Sequence, residues 1–227
     1  MFYDLHIHSA LSPCGDDSMT INNIINMAMI KELDVIAVTD HNSLKQQTYL
    51  KQISRNKVQI IYGVELQTRE EIHVLGYFRE DKVLPVMQEW IDQHLQVILN
   101  KPEFFGNQLI FNQNDEIIDH EERLLLSSLD TSLEDTVAAI HQHHGIAVLA
   151  HVLDKRYSVF ENLGFIPPDL KIEGIEVKSD EQIDIVKKRT PYLKDIPFFR
   201  NSDAHQLIDI SEPLHSMTQT QFEELWR

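Results

Sequence analysis

The chain has 227 residues, 42% of them hydrophobic, with 20 basic against 36 acidic side chains and a formal charge of −16. That length suits one large core or two small ones, and the charge disfavours long nucleic acid as a partner, since tight binding there needs clustered Lys and Arg. Cys14 is the sole cysteine, which leaves no intrachain disulfide, and the absence of a signal-peptide pattern or of an apolar run near ~18 residues predicts a soluble, cytoplasmic protein without a membrane partner. A small phosphorylated substrate stays open, because bound cations reverse a local field. The sequence leaves the oligomeric state undetermined.

Short apolar runs predict strands at 2–8 (FYDLHIH), 34–40 (DVIAVTD), 58–66 (VQIIYGVEL), 71–78 (EIHVLGYF), 146–151 (IAVLAH), 174–179 (GIEVKS) and 197–203 (PFFRNSD). Their near-continuous hydrophobicity suits a sheet covered on both faces. In the first strand the two-residue repeat places Asp4, His6 and His8 on one face, with Leu5 and Ile7 packing on the other. Between the strands, Ser18 or Thr20 caps a helix carrying Ile21, Ile24, Ile25, Ala28 and Met29. A second helix begins near Pro85 and runs through Val86, Trp90, Ile91 and Leu95. A third follows Ser132, with Glu134 and Asp135 in its first turn and Gly145 just past its end. The alternation implies parallel βα units in one α/β domain spanning 1–227, a barrel or a doubly wound sheet. The segment 79–131 breaks the rhythm with a helix and a hairpin, LIFNQNDEII, turning at Asn112 to Asp115; it reads as an elaboration on that domain.

Residues able to bind a metal gather at the strand ends. His6 and His8 end the first strand, Asp40 and His41 follow the second, and Glu65 closes the third. His73 lies in the fourth, His151 ends the fifth, and Asp203 and His205 end the last. In parallel α/β architectures the strand C-termini open onto one face, where active sites are built. Any one of these residues has a structural explanation, such as capping the next helix; the joint pattern does not. His141, His143 and His144 sit at a helix C-terminus, where cations complement the dipole, and need no metal. His94, His120 and His215 lack ligand-like partners at useful spacing.

The motifs DLHIHS, TDHN, the Glu of GVEL, the His of HVLGY, the His of LAH and the final SDAH resemble, in order, those of the polymerase and histidinol phosphatase (PHP) superfamily. The resemblance implies a distorted (β/α)7 barrel, here with the inserted helix and hairpin at about 79–131, binding two or three divalent metals such as zinc, manganese or iron. By position it implies that His6, His8, Glu65 and Asp203 hold one metal. Glu65 then bridges to a second held by His73 and His151, and His41 and His205 hold a third. The loop SPCGDD departs from the commoner family form, and either Cys14 or Asp16 completes the third site. A thiolate there favours zinc, whereas a carboxylate also admits manganese or iron; Asp16 is preferred because a free loop thiol often has no role.

Such a ligand set lowers the pKa of a bound water and neutralises phosphate oxygens. The expected function is hydrolysis of a small phosphorylated metabolite or nucleotide through a metal-bound hydroxide. Asp40, Glu65 and Asp203 are the catalytic carboxylate candidates, and Asp4, Asp40 and Glu176 are candidates to fix histidine tautomers. Lys155 and Arg156, directly after His151, are the candidate phosphate clamp, with Arg200 next. Amidohydrolase-like cleavage of a C–N bond and a non-catalytic metal-binding module are the alternatives.

Overall fold

The computed structural model describes residues 1–53, 58–154 and 156–226. The chain begins with β1 (Tyr3–Ile7), α1 (Ile21–Ile30), β2 (Val35–Val38), α2 (Gln47–Ile53), β3 (Gln59–Gln67) and β4 (His73–Phe78). Then come α3 (Leu84–His94), α4 (Pro102–Phe105), β5 (Leu109–Phe111), β6 (Ile117–His120), α5 (Leu133–Gln142) and β7 (Ile146–Leu149). The last part holds α6 (Val159–Asn162), β8 (Gly174–Glu176), α7 (Asp180–Arg189), β9 (Phe198–Phe199) and α8 (Gln219–Glu224). Of the two candidate caps, Ser18 and Thr20, it is Thr20 whose side chain accepts the Asn23 N–H, and Ser132 caps α5 in the same way. Past α5 it is His144 that takes the left-handed backbone. Gly145 is required for a different reason: a Cβ there would lie 2.6 Å from the Phe78 ring.

All seven predicted strands enter one curled sheet in the order β1-β2-β3-β4-β7-β8-β9. This is the α/β, PHP-type distorted barrel that the resemblance implied, and its two edges approach where Ala204 bridges Ile7 in parallel. One strand departs from the parallel expectation: β4 is antiparallel to both β3 and β7. The short connection from Gln67 to His73 permits only a hairpin return, since a parallel crossover needs a dozen residues or more. The reversal puts the beginning of β4, and so His73, at the same rim as the ends of the parallel strands.

A second departure concerns β1. Leu5 packs with Val35, Ala37 and Tyr77, but Ile7 packs with Ile36, Val38 and the apolar face of α1. The register against β2 shifts between Asp4 and Ile7, so the two-residue alternation fails there. Asp4 consequently parts from the histidines. Its carboxylate accepts N–H bonds from His6, Ser202 and Ser211 at 3.4, 3.1 and 2.9 Å, tying the C-terminal segment to β1.

Within 79–131, α3 packs Leu84, Met87 and Ile91 into the same buried cluster as Val64, Leu66 and Ile140 of the sheet and α5. The hairpin of β5 and β6 forms with its turn at the expected place: the Asn112 side-chain oxygen accepts from the N–H groups of Asn114 and Glu116. Among the described residues no helix is long and apolar enough to cross a membrane.

Candidate metal centre

Six strands and the loops beside them deliver the polar side chains to one rim. His6 and His8 come from the end of β1, Asp40 and His41 follow β2, and Glu65 lies near the end of β3. His73 opens β4, His151 follows β7, and Asp203 and His205 follow β9. His151 and Asp203 both hold positive φ, 27° and 56°, a conformation uncommon outside glycine and characteristic of functional sites.

Hydrogen bonds on the far side of each ring decide what the near side presents. His6 Nδ1 lies 3.0 and 3.1 Å from the Glu176 carboxylate oxygens, so Nδ1 carries a proton. His8 Nδ1 donates to Ser12 Oγ at 2.9 Å, because that hydroxyl gives its own proton to Asp40 at 2.8 Å. In the neutral rings both Nε2 atoms therefore bear lone pairs. Yet they lie 3.2 Å from each other, and 3.3 and 3.2 Å respectively from the same Asp203 Oδ1. Acceptors converging in this way require positive charge between them.

The same holds beside β4. Gln67 Oε1 accepts from His73 Nε2 at 3.2 Å. This leaves His73 Nδ1 facing Glu65 Oε1 at 2.8 Å and His151 Nε2 at 3.3 Å. His151 Nε2 is itself 3.2 Å from Glu65 Oε1. The other Glu65 oxygen, Oε2, is 2.9 Å from His41 Nδ1, and both atoms are buried without a hydrogen bond. Glu65 thus stands between His6, His8, His41, His73 and His151.

A further group joins His8, Cys14, His41 and His205, whose ligand atoms all lie within 4.8 Å of one another. The SPCGDD loop contributes Cys14 here and not Asp16, whose exposed carboxylate turns back to accept the Ser18 N–H at 2.9 Å. The backbone of Asp16 does take part, its N–H donating to the His205 carbonyl at 2.9 Å. Asp40, a catalytic candidate from sequence, touches none of the converging atoms. It accepts from Ser9 and Ser12 and orients His8 through Ser12.

The protonation pattern follows from this crowding. Burial alone would lower His6, but Glu176, Asp203 and Glu65 raise it well above the usual histidine range; His41 is likewise raised, against its burial, by Cys14 and Glu65. Burial and the His41 charge push His8 down to about 3, and burial takes His73 to about 4 against the pull of Glu65. Burial opposes ionisation of Glu65, yet His73, His6 and His41 hold it well below the usual carboxylate range. Burial raises the Cys14 thiol, but His41 and His205 outweigh it and bring it down to about 6. Buried imidazoles, one shared carboxylate and an ionisable thiol are the donors that divalent transition metals take. The residues present fit that cofactor.

The centre opens onto a cavity of about 740 Å³ lined by Cys14, His41, His151, Asp203 and His205, with Arg156 on its rim. Lys155, the other half of the expected clamp, lies outside the described residues. Arg200 is engaged elsewhere, in an ion pair with Asp180. Several participants escaped the sequence reading. Gln67 carries a readable signal, two residues after Glu65 on the same strand and so on the same face. Ser12, Asn201, which donates to Glu176 at 2.7 Å, and Tyr157, whose ring stacks on His73 at 4.7 Å, come from irregular segments without one.

Comparison with known proteins fits this geometry. Endonuclease Q of Pyrococcus furiosus superposes with a TM-score of 0.66 at 20% identity, over 91% of this chain and 48% of its own. A Bifidobacterium adolescentis protein assigned as a metal-dependent phosphoesterase gives 0.66 at 15%, covering 98% of this chain and 94% of that one. An amidohydrolase of Chromobacterium violaceum gives 0.63 at 18%, covering 99% and 96%. An uncharacterized Methanocaldococcus jannaschii protein is 29% identical over 89 residues, 35% of this chain and 52% of its own. The chain spans about half the length of endonuclease Q and of that archaeal relative.

One expectation is overturned here. A second endonuclease Q structure holds a 27-mer duplex with an abasic lesion at its active site, so a net charge of −16 does not exclude long nucleic acid from this fold. Net charge sums the whole surface, whereas a phosphodiester meets only the local field at the site. The PHP domain model matches residues 4–163, the span that carries His6 through His151, and the chain belongs to the PHP family.

Proposed function

We propose that this chain is a metal-dependent phosphoesterase acting on a phosphate ester, whether of a small metabolite, a nucleotide or a nucleic-acid strand. The observation that carries this reading is the convergence of His6 Nε2, His8 Nε2 and Asp203 Oδ1 within 3.3 Å of one another, beside a Glu65 carboxylate in contact with further imidazoles. Divalent cations bound there neutralise phosphate oxygens and activate water at neutral pH. Zinc, manganese and iron all suit the donors. Glu65 bridges the ligand groups, and Asp203, one quarter exposed, is the carboxylate that reaches the cavity. Glu176 orients His6, Asp40 orients His8 through Ser12, and Arg156 on the rim binds the phosphate. A reduced Cys14 is in keeping with a cytoplasmic setting.

The test is hydrolysis of p-nitrophenyl phosphate, sugar phosphates, nucleotides and duplex DNA with an abasic site, before and after chelation. Turnover that disappears on chelation and returns with manganese or zinc is the expected result. Full activity in a demonstrably metal-free preparation overturns the reading. The likeness to an amidohydrolase favours cleavage of a C–N bond as the second reading, supported if amides turn over and no phosphoester does.

A further inference from the structure

We propose that the centre is chemically two-sided. Cys14, His41 and His205 hold a soft cation of the zinc type at the mouth, while the oxygen-containing groups around Glu65 and Asp203 hold a harder one such as manganese or iron(II). This rests on the metal-centre reading and goes beyond it by assigning Cys14 as a ligand and a different metal preference to its site.

The group of His8, Cys14, His41 and His205 contains a sulfur and no carboxylate, whereas His6, His8 and Asp203, and His41, Glu65 and His73, each contain a carboxylate and no sulfur. Thiolate and imidazole together select zinc over manganese, and carboxylate ligands relax that preference. The separations suit a small tetrahedral cation. Bond lengths of about 2.0–2.3 Å put neighbouring ligands roughly 3.4–3.8 Å apart, a modest contraction from the 4.8 Å that bounds the group.

His8 belongs to the inner group, since its Nε2 already lies 3.2 Å from both His6 Nε2 and Asp203 Oδ1. His41 faces both sides: its Nδ1 lies 2.9 Å from Glu65 Oε2, which leaves Nε2 for the outer cation. Cys14, His41 and His205 thus supply three protein donors, all lining the cavity, with a fourth position open to water or substrate, the pattern of a catalytic zinc site. His205 is set for the role: its Nδ1 donates to the Asp203 carbonyl at 2.7 Å, which leaves Nε2 as the free acceptor.

The loop presenting Cys14 is built rather than loose. Ser12 N–H donates to the Ser9 carbonyl at 3.1 Å, Gly15 N–H to Ser12 at 2.9 Å, and Asp16 N–H to His205 at 2.9 Å. At Gly15 a side chain is excluded, because a Cβ would meet the Ser9 carbonyl oxygen at 2.4 Å. The Asp16 bond ties the cysteine loop directly to the segment that carries His205. On metal uptake Cys14 binds as thiolate and the protons shared among Cys14, His41 and His205 leave to solvent, with no change of oxidation state.

The experiment is cobalt(II) loading of chelator-stripped protein, read by absorption and elemental analysis. A thiolate-to-cobalt charge-transfer band in the near ultraviolet is expected in the wild type and absent in Cys14→Ser. The chain has one cysteine, so the band has only one source. Cys14→Asp guards against misfolding: it should keep the cobalt content, lose the band, and shift competition between zinc and manganese at least tenfold toward manganese. Cobalt bound without a band in the wild type, or wild-type zinc preference in both variants, overturns the proposal and leaves the phosphoesterase reading standing. Failure of the folded wild type to bind any cobalt, zinc or manganese overturns both.

Discussion

Glu176 and His6 are 170 positions apart in sequence, yet the Glu176 carboxylate lies 3.0 Å from His6 Nδ1 and so fixes which nitrogen of that ring faces the centre. The same carboxylate accepts the His151 N–H at 3.0 Å, holding two ligand-bearing strands in register. Glu176→Gln keeps the shape but lets an amide N–H face His6. Carboxylates behind metal-bound histidines are worth about 10–100-fold in affinity or activity, and a loss in that range is expected. Metal affinity by chelator competition, beside kcat/KM, checks it; a variant matching wild type in both would make Glu176 merely structural.

Glu65→Gln should be more severe. It removes the negative charge shared by five histidines, which then face one another without compensation. Loss of at least one metal equivalent and a fall in turnover beyond 100-fold are expected, the upper end for outer residues. Elemental analysis and circular dichroism separate this from unfolding.

Proton release should accompany metal uptake. Against their burial, His6 and His41 are raised well above the usual histidine value, and His151 and His205 are raised, by neighbouring carboxylates and the Cys14 thiolate. Without cations, protons fill the same gap. A raised histidine contributes stability that is complete below its unfolded pKa of about 6.5 and lost as pH climbs through the folded value. The depressed Glu65 and Asp203 contribute stability present above about 4 and lost as pH falls. His8 and His73, held down to about 3 and 4, and the Cys14 thiol, held down to about 6, act in the opposite sense between pH 6 and pH 8. The melting temperature is therefore not the readout; metal affinity is, and it should rise over that interval as the ligands deprotonate. A pH indicator during titration with zinc reads the released protons directly; none released at pH 7 would contradict the assignment.

Gly106→Ala tests the link between the inserted segment and the cysteine loop. Gly106 has φ of +99°, and a Cβ there would stand 1.9 Å from the Pro13 carbonyl oxygen, next to Cys14. The backbone conformation alone costs about 1–3 kcal/mol, and the clash adds to it. A lower urea midpoint is expected together with weaker zinc binding. Unchanged values in both would mean that the segment and the loop are not coupled.

Arg156→Ala should raise KM for phosphoesters about tenfold with little change in kcat, since a rim cation binds ground state and transition state alike. Steady-state kinetics at two ionic strengths checks this, and a fall confined to kcat would place Arg156 in the chemistry instead.

The sequence by itself determined where the strands lie and the rim on which the polar residues meet, while their order in the sheet came from the structure. Apolar runs ending in His, Asp or Glu are local patterns, and parallel topology turns strand ends into a shared surface. The direction of β4 was legible in the sequence too, against the parallel pattern of the alternation: residues 67–70, all that separates the predicted strands 58–66 and 71–78, are too few for a parallel crossover. The sequence could not separate Leu5 from Ile7, since a register shift leaves no mark in the alternation of residue types. Only the tertiary structure chose between Cys14 and Asp16. Both lie in one short polar loop, and the choice was made by the Asp16 N–H binding the His205 carbonyl, a contact across 189 positions of chain that turns the carboxylate outward toward Ser18 and leaves the sulfur among the imidazoles.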